Sequence, residues 1–297
     1  MQTARNLNQA NQDFSGLWIP LITPFDHGEV DHAAVKRLVA HYRASGIAGL
    51  VVCGSTGEAA ALSDEEQQAV LQTVMSEAPG LPVVMGLSGY HLGKTAARIK
   101  ALGALGIAGF LLPAPSYIRP AQAGLIEWFT ALADASAVPI ILYDIPYRTG
   151  STITLDTLMT LAGHPRICAI KDCGGDAAKT RALIAGGRLQ VLSGEDAQIF
   201  STMAQGGRGA IAAAAHLQTR RFVQILRLIQ AGGLSQAEAL WTPMLPLIEG
   251  LFSEPNPGPL KALLARQGLI RDELRSPMTR ASSALVERLL RLDELIV

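Results

Sequence analysis

Long apolar runs are missing from this chain: none reaches the ~18 residues that a membrane-spanning helix needs. Cysteine is scarce as well. The three present, Cys53, Cys168 and Cys173, show no C-x-x-C spacing. That pattern fits reduced thiols in a cytoplasmic protein, with Cys168 and Cys173 as small core residues. Charge of one sign never accumulates. Lys plus Arg and Asp plus Glu both number 25, the formal net charge is zero, and no block of five or six like charges occurs. A nucleic-acid or other electrostatic partner is therefore not expected. His27, His91, His164 and His216 are scattered and match no metal-ligand spacing, so they read as surface or cap residues and no metal site is expected. Met1 to Asp13 is polar, rich in Asn and Gln, and lacks the apolar segment of a signal peptide, so it reads as a loose arm.

Apolar residues make up 49% of the chain, which calls for a compact core. They alternate between two periodicities. Gly16 to Thr23 reads as a buried strand; Asp31 then caps a helix with Val35, Leu38, Val39 and Tyr42 on one face. Gly49 to Cys53 is the next strand, and Ser63 with Glu66 forms a capping box for a helix running to about Ala78. Strands follow at Pro82 to Leu87, Gly109 to Leu112, Pro139 to Tyr143, Ile167 to Lys171, Leu189 to Ser193 and Gly209 to Ala213, each followed by a helical segment. Eight strand–helix units in a chain of this length predict a closed (β/α)8 TIM barrel over 16–232. An arm over 1–15 precedes it. A helical extension over 233–297 follows, with helices at Ser235 to Phe252, Pro259 to Gly268 and Ser282 to Leu295.

Active sites of such barrels lie at the C-terminal ends of the strands. The most informative end is Ile167-Cys168-Ala169-Ile170-Lys171, an apolar strand closing on a lysine before a glycine-rich turn. Burial disfavours an ammonium, so an amine held there gives up its proton more readily and can attack a carbonyl carbon. The same pattern also suits a surface lysine just past a strand. The second strand ends in Gly54-Ser55-Thr56-Gly57-Glu58. This loop is either an anion-cradling nest or an ordinary turn, but not a Walker loop, since no Gly-Lys-Ser/Thr follows. Tyr143, at the end of the fifth strand, is a proton relay or a rim aromatic. Arg148 offers a planar fork for a carboxylate, or is a solvated charge.

Taken together, Gly54-Ser55-Thr56-Gly57-Glu58, Tyr143-Asp144-Ile145-Pro146, Ile170-Lys171-Asp172, Ser193-Gly194-Glu195-Asp196 and Glu254-Pro255-Asn256-Pro257 resemble the motifs of the dihydrodipicolinate synthase / N-acetylneuraminate lyase family. The resemblance runs from about Gly16 to the C-terminal helices. It implies a metal-independent lyase, without a cofactor, that forms a Schiff base with pyruvate or a related 2-oxo acid. It makes Lys171 the Schiff-base lysine and Tyr143 the general acid/base. Ser55 and Thr56 become the carboxylate-binding pair that links Tyr143 to a second tyrosine, and Tyr117 matches that tyrosine, contributed by a neighbouring subunit. Gly194 and Ile211 match backbone positions that touch the adduct.

Arg148 matches the residue that holds the carboxylate of aspartate semialdehyde, which makes pyruvate and that aldehyde the implied substrates. Ser55 in place of the commoner Thr, Ala59-Ala60-Ala61, and Cys173-Gly174-Gly175 depart from the familiar pattern and leave as alternatives an aldolase or dehydratase acting on another aldehyde or a 2-oxo sugar acid, or a catalytically idle relative that only binds an oxo acid. A homo-oligomer, a dimer or dimer of dimers, is implied by the same resemblance. Positions that hold lysine in feedback-inhibited relatives read here Ala59, Asp64, Gln67, Tyr90, Lys94 and Ser116. Lys94 repels a cationic ligand, so weak or absent lysine feedback is expected. Strong inhibition by millimolar lysine would contradict that expectation.

Overall fold

A computed structural model describes residues 12–296. The part of the expected arm that falls on residues 1–11 lies outside the described residues. Eight parallel strands close into one barrel: Gly16–Pro20, Gly49–Val52, Val83–Gly86, Gly109–Pro113, Ile140–Asp144, Ile167–Asp172, Gln190–Ser193 and Gly209–Ile211. The first strand pairs with both the second and the eighth, which completes the ring. The TIM barrel expected from the alternation is thus the observed architecture, with its C-terminal helices.

Strands of such a barrel are buried on both faces, which is why they read as continuous apolar runs rather than alternating ones. Alternation still sorts the side chains. Val51, Val84, Leu111, Ile141, Ala169, Leu192 and Ile211 point into the barrel. Their neighbours Leu50, Val52, Val83, Leu112, Leu142, Ile170 and Val191 pack against the helices. Phe14 and Trp18 fill the N-terminal end, with ring centroids 5.6 Å apart and the indole N–H donating to the Phe14 carbonyl at 2.8 Å. Glycines opening two strands make this room: a Cβ on Gly49 would overlap the Trp18 ring, and one on Gly109 would sit 3.2 Å from Phe14.

The helices start where their caps stand. Asp31 accepts from the Ala34 N–H at 2.9 Å ahead of His32–Arg43, and Ser63 with Glu66 forms the full capping box ahead of Asp64–Glu77. Two helical readings need correction. The segment Ser235 to Phe252 is broken into Leu234–Trp241, a 3-10 turn over Thr242–Met244, and Leu245–Leu251. Pro243 and Pro246 lack the N–H that a continuous helix requires. The helical segment after the seventh strand, expected over Asp196 to Gln205, begins instead as a 3-10 turn over Asp196–Gln198 before Ile199–Ala204 becomes α-helical.

His216 is also not a surface or cap residue. It is fully enclosed, accepting from the Ile22 N–H at 3.3 Å through Nε2 and sharing a hydrogen bond with the Ala213 carbonyl through Nδ1. His91, by contrast, does cap Leu92–Gly103. A short hairpin, Phe25–Asp26 with Glu29–Val30, turns through His27 and Gly28, both at positive φ. The last helix, Ser283–Glu294, packs on Leu245–Leu251 and Gly258–Arg266. No helix among the described residues is long and apolar enough to cross a membrane.

Candidate active site

Register brings the two chief candidates together. Tyr143 is the strand partner of Lys171, and Asp144 of Asp172. Side chains of one register pair share a face; Tyr143 and Lys171 therefore both point into the barrel mouth. Both are buried, and the Lys171 Nζ donates to the Tyr143 hydroxyl at 3.3 Å while lying 4.4 Å from its ring centroid. The reading of Lys171 as a surface lysine is thereby excluded. Burial holds the Tyr143 phenol well above the usual tyrosine range, reinforced by the Cys173 thiol and opposed by a hydrogen bond to Ser55 and by the Arg148 charge. A phenol in that state stays protonated and has a proton to give.

Outward-facing neighbours brace this pair. Asp144 is wholly buried, forms an ion pair with Lys179, and accepts from the Ile153 N–H at 3.0 Å. Asp172 accepts from Thr180 Oγ1 at 2.5 Å and from the Gly174 N–H at 2.9 Å. Each inward catalytic candidate is thus followed by a carboxylate anchored in the barrel wall.

The seventh strand approaches Lys171 with a glycine. A Cβ on Gly194 would stand 2.7 Å from Lys171 Cγ and 2.8 Å from Cε, so only glycine leaves the lysine chain its course. Cys173 lies against the same spot. Its thiol is fully buried beside the Glu195 carboxyl and is pushed well above the usual thiol range chiefly by burial, against the pull of the Lys171 charge. It is therefore a protonated filler rather than a thiolate nucleophile. Asp196, also buried, is pushed up to about 7 by burial, with the Ala214 N–H at 2.5 Å and the Lys171 charge working against that rise. Ile211 closes the interior at the end of the eighth strand.

Ser55 reaches Tyr143, and Thr56 is buried beneath it, its Oγ1 accepting from Asn256 Nδ2 at 3.1 Å. The loop is held by Glu58, which takes the left-handed conformation at φ 51° and pairs with the buried Lys261. Arg148 and Tyr117 are exposed and form no hydrogen bond to this cluster, although the Arg148 charge is felt at Tyr143. Arg148 is exposed on the four-residue helix Pro146–Thr149, its guanidinium 5.9 Å from the Tyr147 ring. Tyr117 is 92% exposed at φ 74° and touches none of the buried group within this chain.

Sequence reasoning had assigned no part to Asn256, Cys173, Glu195 or Asp196 at this site. Asn256 reaches Thr56 only because the C-terminal extension folds back onto the barrel, and Asp196 comes near Lys171 only because neighbouring strands bring them together, whereas Cys173 lies two residues from Lys171 in the chain.

A buried amine beside a neutral phenol and a hydroxyl loop, at the C-terminal mouth of a TIM barrel, defines a carbonyl-chemistry site. Comparison with known proteins narrows this. Residues 13–292 match the model of the dihydrodipicolinate synthetase family. The chain is 38% identical over 278 residues to 4-hydroxy-tetrahydrodipicolinate synthase 2 of Clostridium acetobutylicum, covering 92% of this chain and 97% of the relative. It superposes with TM-score 0.92 and 31% identity on dihydrodipicolinate synthase from Aquifex aeolicus, over 95% of this chain and 97% of that one. The score is also 0.92, at 32% identity, over 95% of this chain and 98% of the other, for the chloride-inhibited dihydrodipicolinate synthase of Acinetobacter baumannii complexed with pyruvate. The chain belongs to the dihydrodipicolinate synthetase family and is a lyase of that family.

Proposed function

We propose that this lyase condenses pyruvate with aspartate semialdehyde to 4-hydroxy-tetrahydrodipicolinate, in the cytoplasm, as a step of lysine and diaminopimelate biosynthesis. The observation that carries the reading is the buried contact between the Lys171 amine and the protonated Tyr143 phenol. The amine adds to the keto carbon of pyruvate, the carbinolamine loses water, and an iminium forms. The iminium draws electrons from the adjacent methyl, which loses a proton to give an enamine; the enamine carbon then attacks the aldehyde. Tyr143 supplies and recovers the protons, passing them through Ser55. Thr56, beside Ser55, receives the pyruvate carboxylate, and Gly194 and Ile211 shape the space for the adduct.

Arg148 sits at the rim, exposed and free to meet a second carboxylate, as the aldehyde partner requires. Tyr117, held at positive φ with an exposed ring next to the 53% exposed Ile118, is suited to enter the site of a second copy in a dimer or dimer of dimers.

One observation favours a second reading. A Glu195 carboxylate oxygen is buried without a hydrogen-bond partner beside Cys173, which suits a hydroxyl-bearing substrate such as a 2-oxo sugar acid. A coupled assay with pyruvate and aspartate semialdehyde, on the wild type and Arg148→Ala, separates the two. Turnover that collapses in the variant supports the synthase. No turnover in a protein that still forms a borohydride-reducible pyruvate adduct moves the assignment to the sugar acid.

A further inference from the structure

The C-terminal extension reaches back over the whole barrel to grip the loop Gly54-Ser55-Thr56-Gly57-Glu58 at two points. At one, Glu58 pairs with Lys261, whose side chain is completely buried, lies 4.2 Å over the Phe25 ring and donates to the Glu273 carbonyl at 2.9 Å. The Arg275 N–H adds a bond to Glu58 at 3.2 Å, and its guanidinium holds the Ala61 carbonyl at 2.8 Å. This grip fixes the backbone. The other point is a single side-chain bond, from Asn256 Nδ2 to Thr56 Oγ1 at 3.1 Å, on the residue proposed to receive the carboxylate.

A hydroxyl has one hydrogen to give and two positions at which to accept. Asn256 donates, so it occupies an accepting position of Thr56 and leaves the hydroxyl hydrogen uncommitted. Among the described residues Thr56 Oγ1 has no other hydrogen-bond partner, and the residue is only 3% exposed. The hydrogen is therefore available to a ligand in the barrel mouth. A carboxylate only accepts, and a hydroxyl that turned its lone pairs toward it would repel it.

We infer that Asn256 is a positioning residue: by donating to Thr56 it sets that hydroxyl as a donor toward the carboxylate of the bound 2-oxo acid. The inference rests on the proposed Schiff-base reading and adds a polarity to it. The extension thereby takes part in selecting an anionic 2-oxo acid over a neutral carbonyl compound, through a contact spanning 200 residues of sequence.

The test is a double-mutant cycle read by borohydride trapping at varied pyruvate concentration, on the full-length protein. Asn256→Ala raises the pyruvate concentration for half-maximal trapping about tenfold, the loss of one oriented hydrogen bond to a charged group. In a Thr56→Val background the same substitution has no further effect, because no hydroxyl is left to orient. Asn256→Asp, which matches asparagine in size but only accepts, weakens pyruvate more than alanine does, with an unchanged melting temperature. An Asn256→Ala effect of equal size in both backgrounds overturns the inference, as does an Asn256→Asp variant with wild-type pyruvate dependence. A wild type that traps no pyruvate at any concentration overturns the Schiff-base reading itself, and the inference with it.

Discussion

The two ends of this barrel are built from the same strands and solve opposite problems. At the N-terminal end, Phe14 and Trp18 fill the interior against glycine-started strands, and the packing is apolar and tight. At the C-terminal end, the interior holds an amine, a phenol, a thiol and the Asp196 carboxyl, all within three residues of the strand ends. Burial there works on titration instead of only on packing: it keeps Tyr143 and Cys173 protonated and lifts Asp196 to about 7. One end packs apolar side chains; the other holds groups whose protonation states burial shifts, as the proposed chemistry requires.

Substitutions can break that division or sharpen it. The largest effect is expected at Gly194. A Cβ in Gly194→Ala would meet the Cys173 thiol and stand 2.7 Å from the Lys171 chain, so the folded variant should trap pyruvate about 100-fold more slowly or worse, with a melting temperature lowered by the overpacking. Trapping at the wild-type rate would show that Lys171 does not need that space. At the other end, Trp18→Ala should cost about 3–5 kcal/mol in denaturant unfolding, yet leave the trapping rate of the folded protein unchanged. A rate that falls in step with stability would erase the distinction between the ends.

The smaller expected effect concerns His216, packed behind the barrel wall against Tyr42 at 5.3 Å between ring centroids. Burial lowers its pKa from 6.5 to about 4. A group depressed in the folded state contributes stability that is fully present above 6.5 and lost as pH falls toward 4, by roughly 3 kcal/mol in total. His216→Gln should flatten the fall in melting temperature over that window. An unchanged slope would mean that another group governs the acid transition.

The barrel was legible in the sequence because every strand is an apolar run ended by a turn, and every helix is announced by a face or a cap. Asp31 and the Ser63–Glu66 box stand where the helices begin. Lys171 and Tyr143 stood out because each closes a buried run, but the run alone left a surface lysine and a rim aromatic open; strand register is what brings the two side chains together. What escaped depends on closure. Nothing local to Asn256 points to Thr56, and nothing in His-Leu-Gln after an alanine run announces that His216 is enclosed. The break at Pro243 and Pro246 was a local signal outweighed by the apolar spacing around it.

If Lys171 is the amine that takes up pyruvate, reducing the protein with borohydride in the presence of pyruvate and locating the added mass by peptide mass spectrometry should find one adduct, on the peptide containing Lys171 and absent in Lys171→Ala. An adduct on another lysine such as Lys179 or Lys261, or none on the folded wild type, would contradict it.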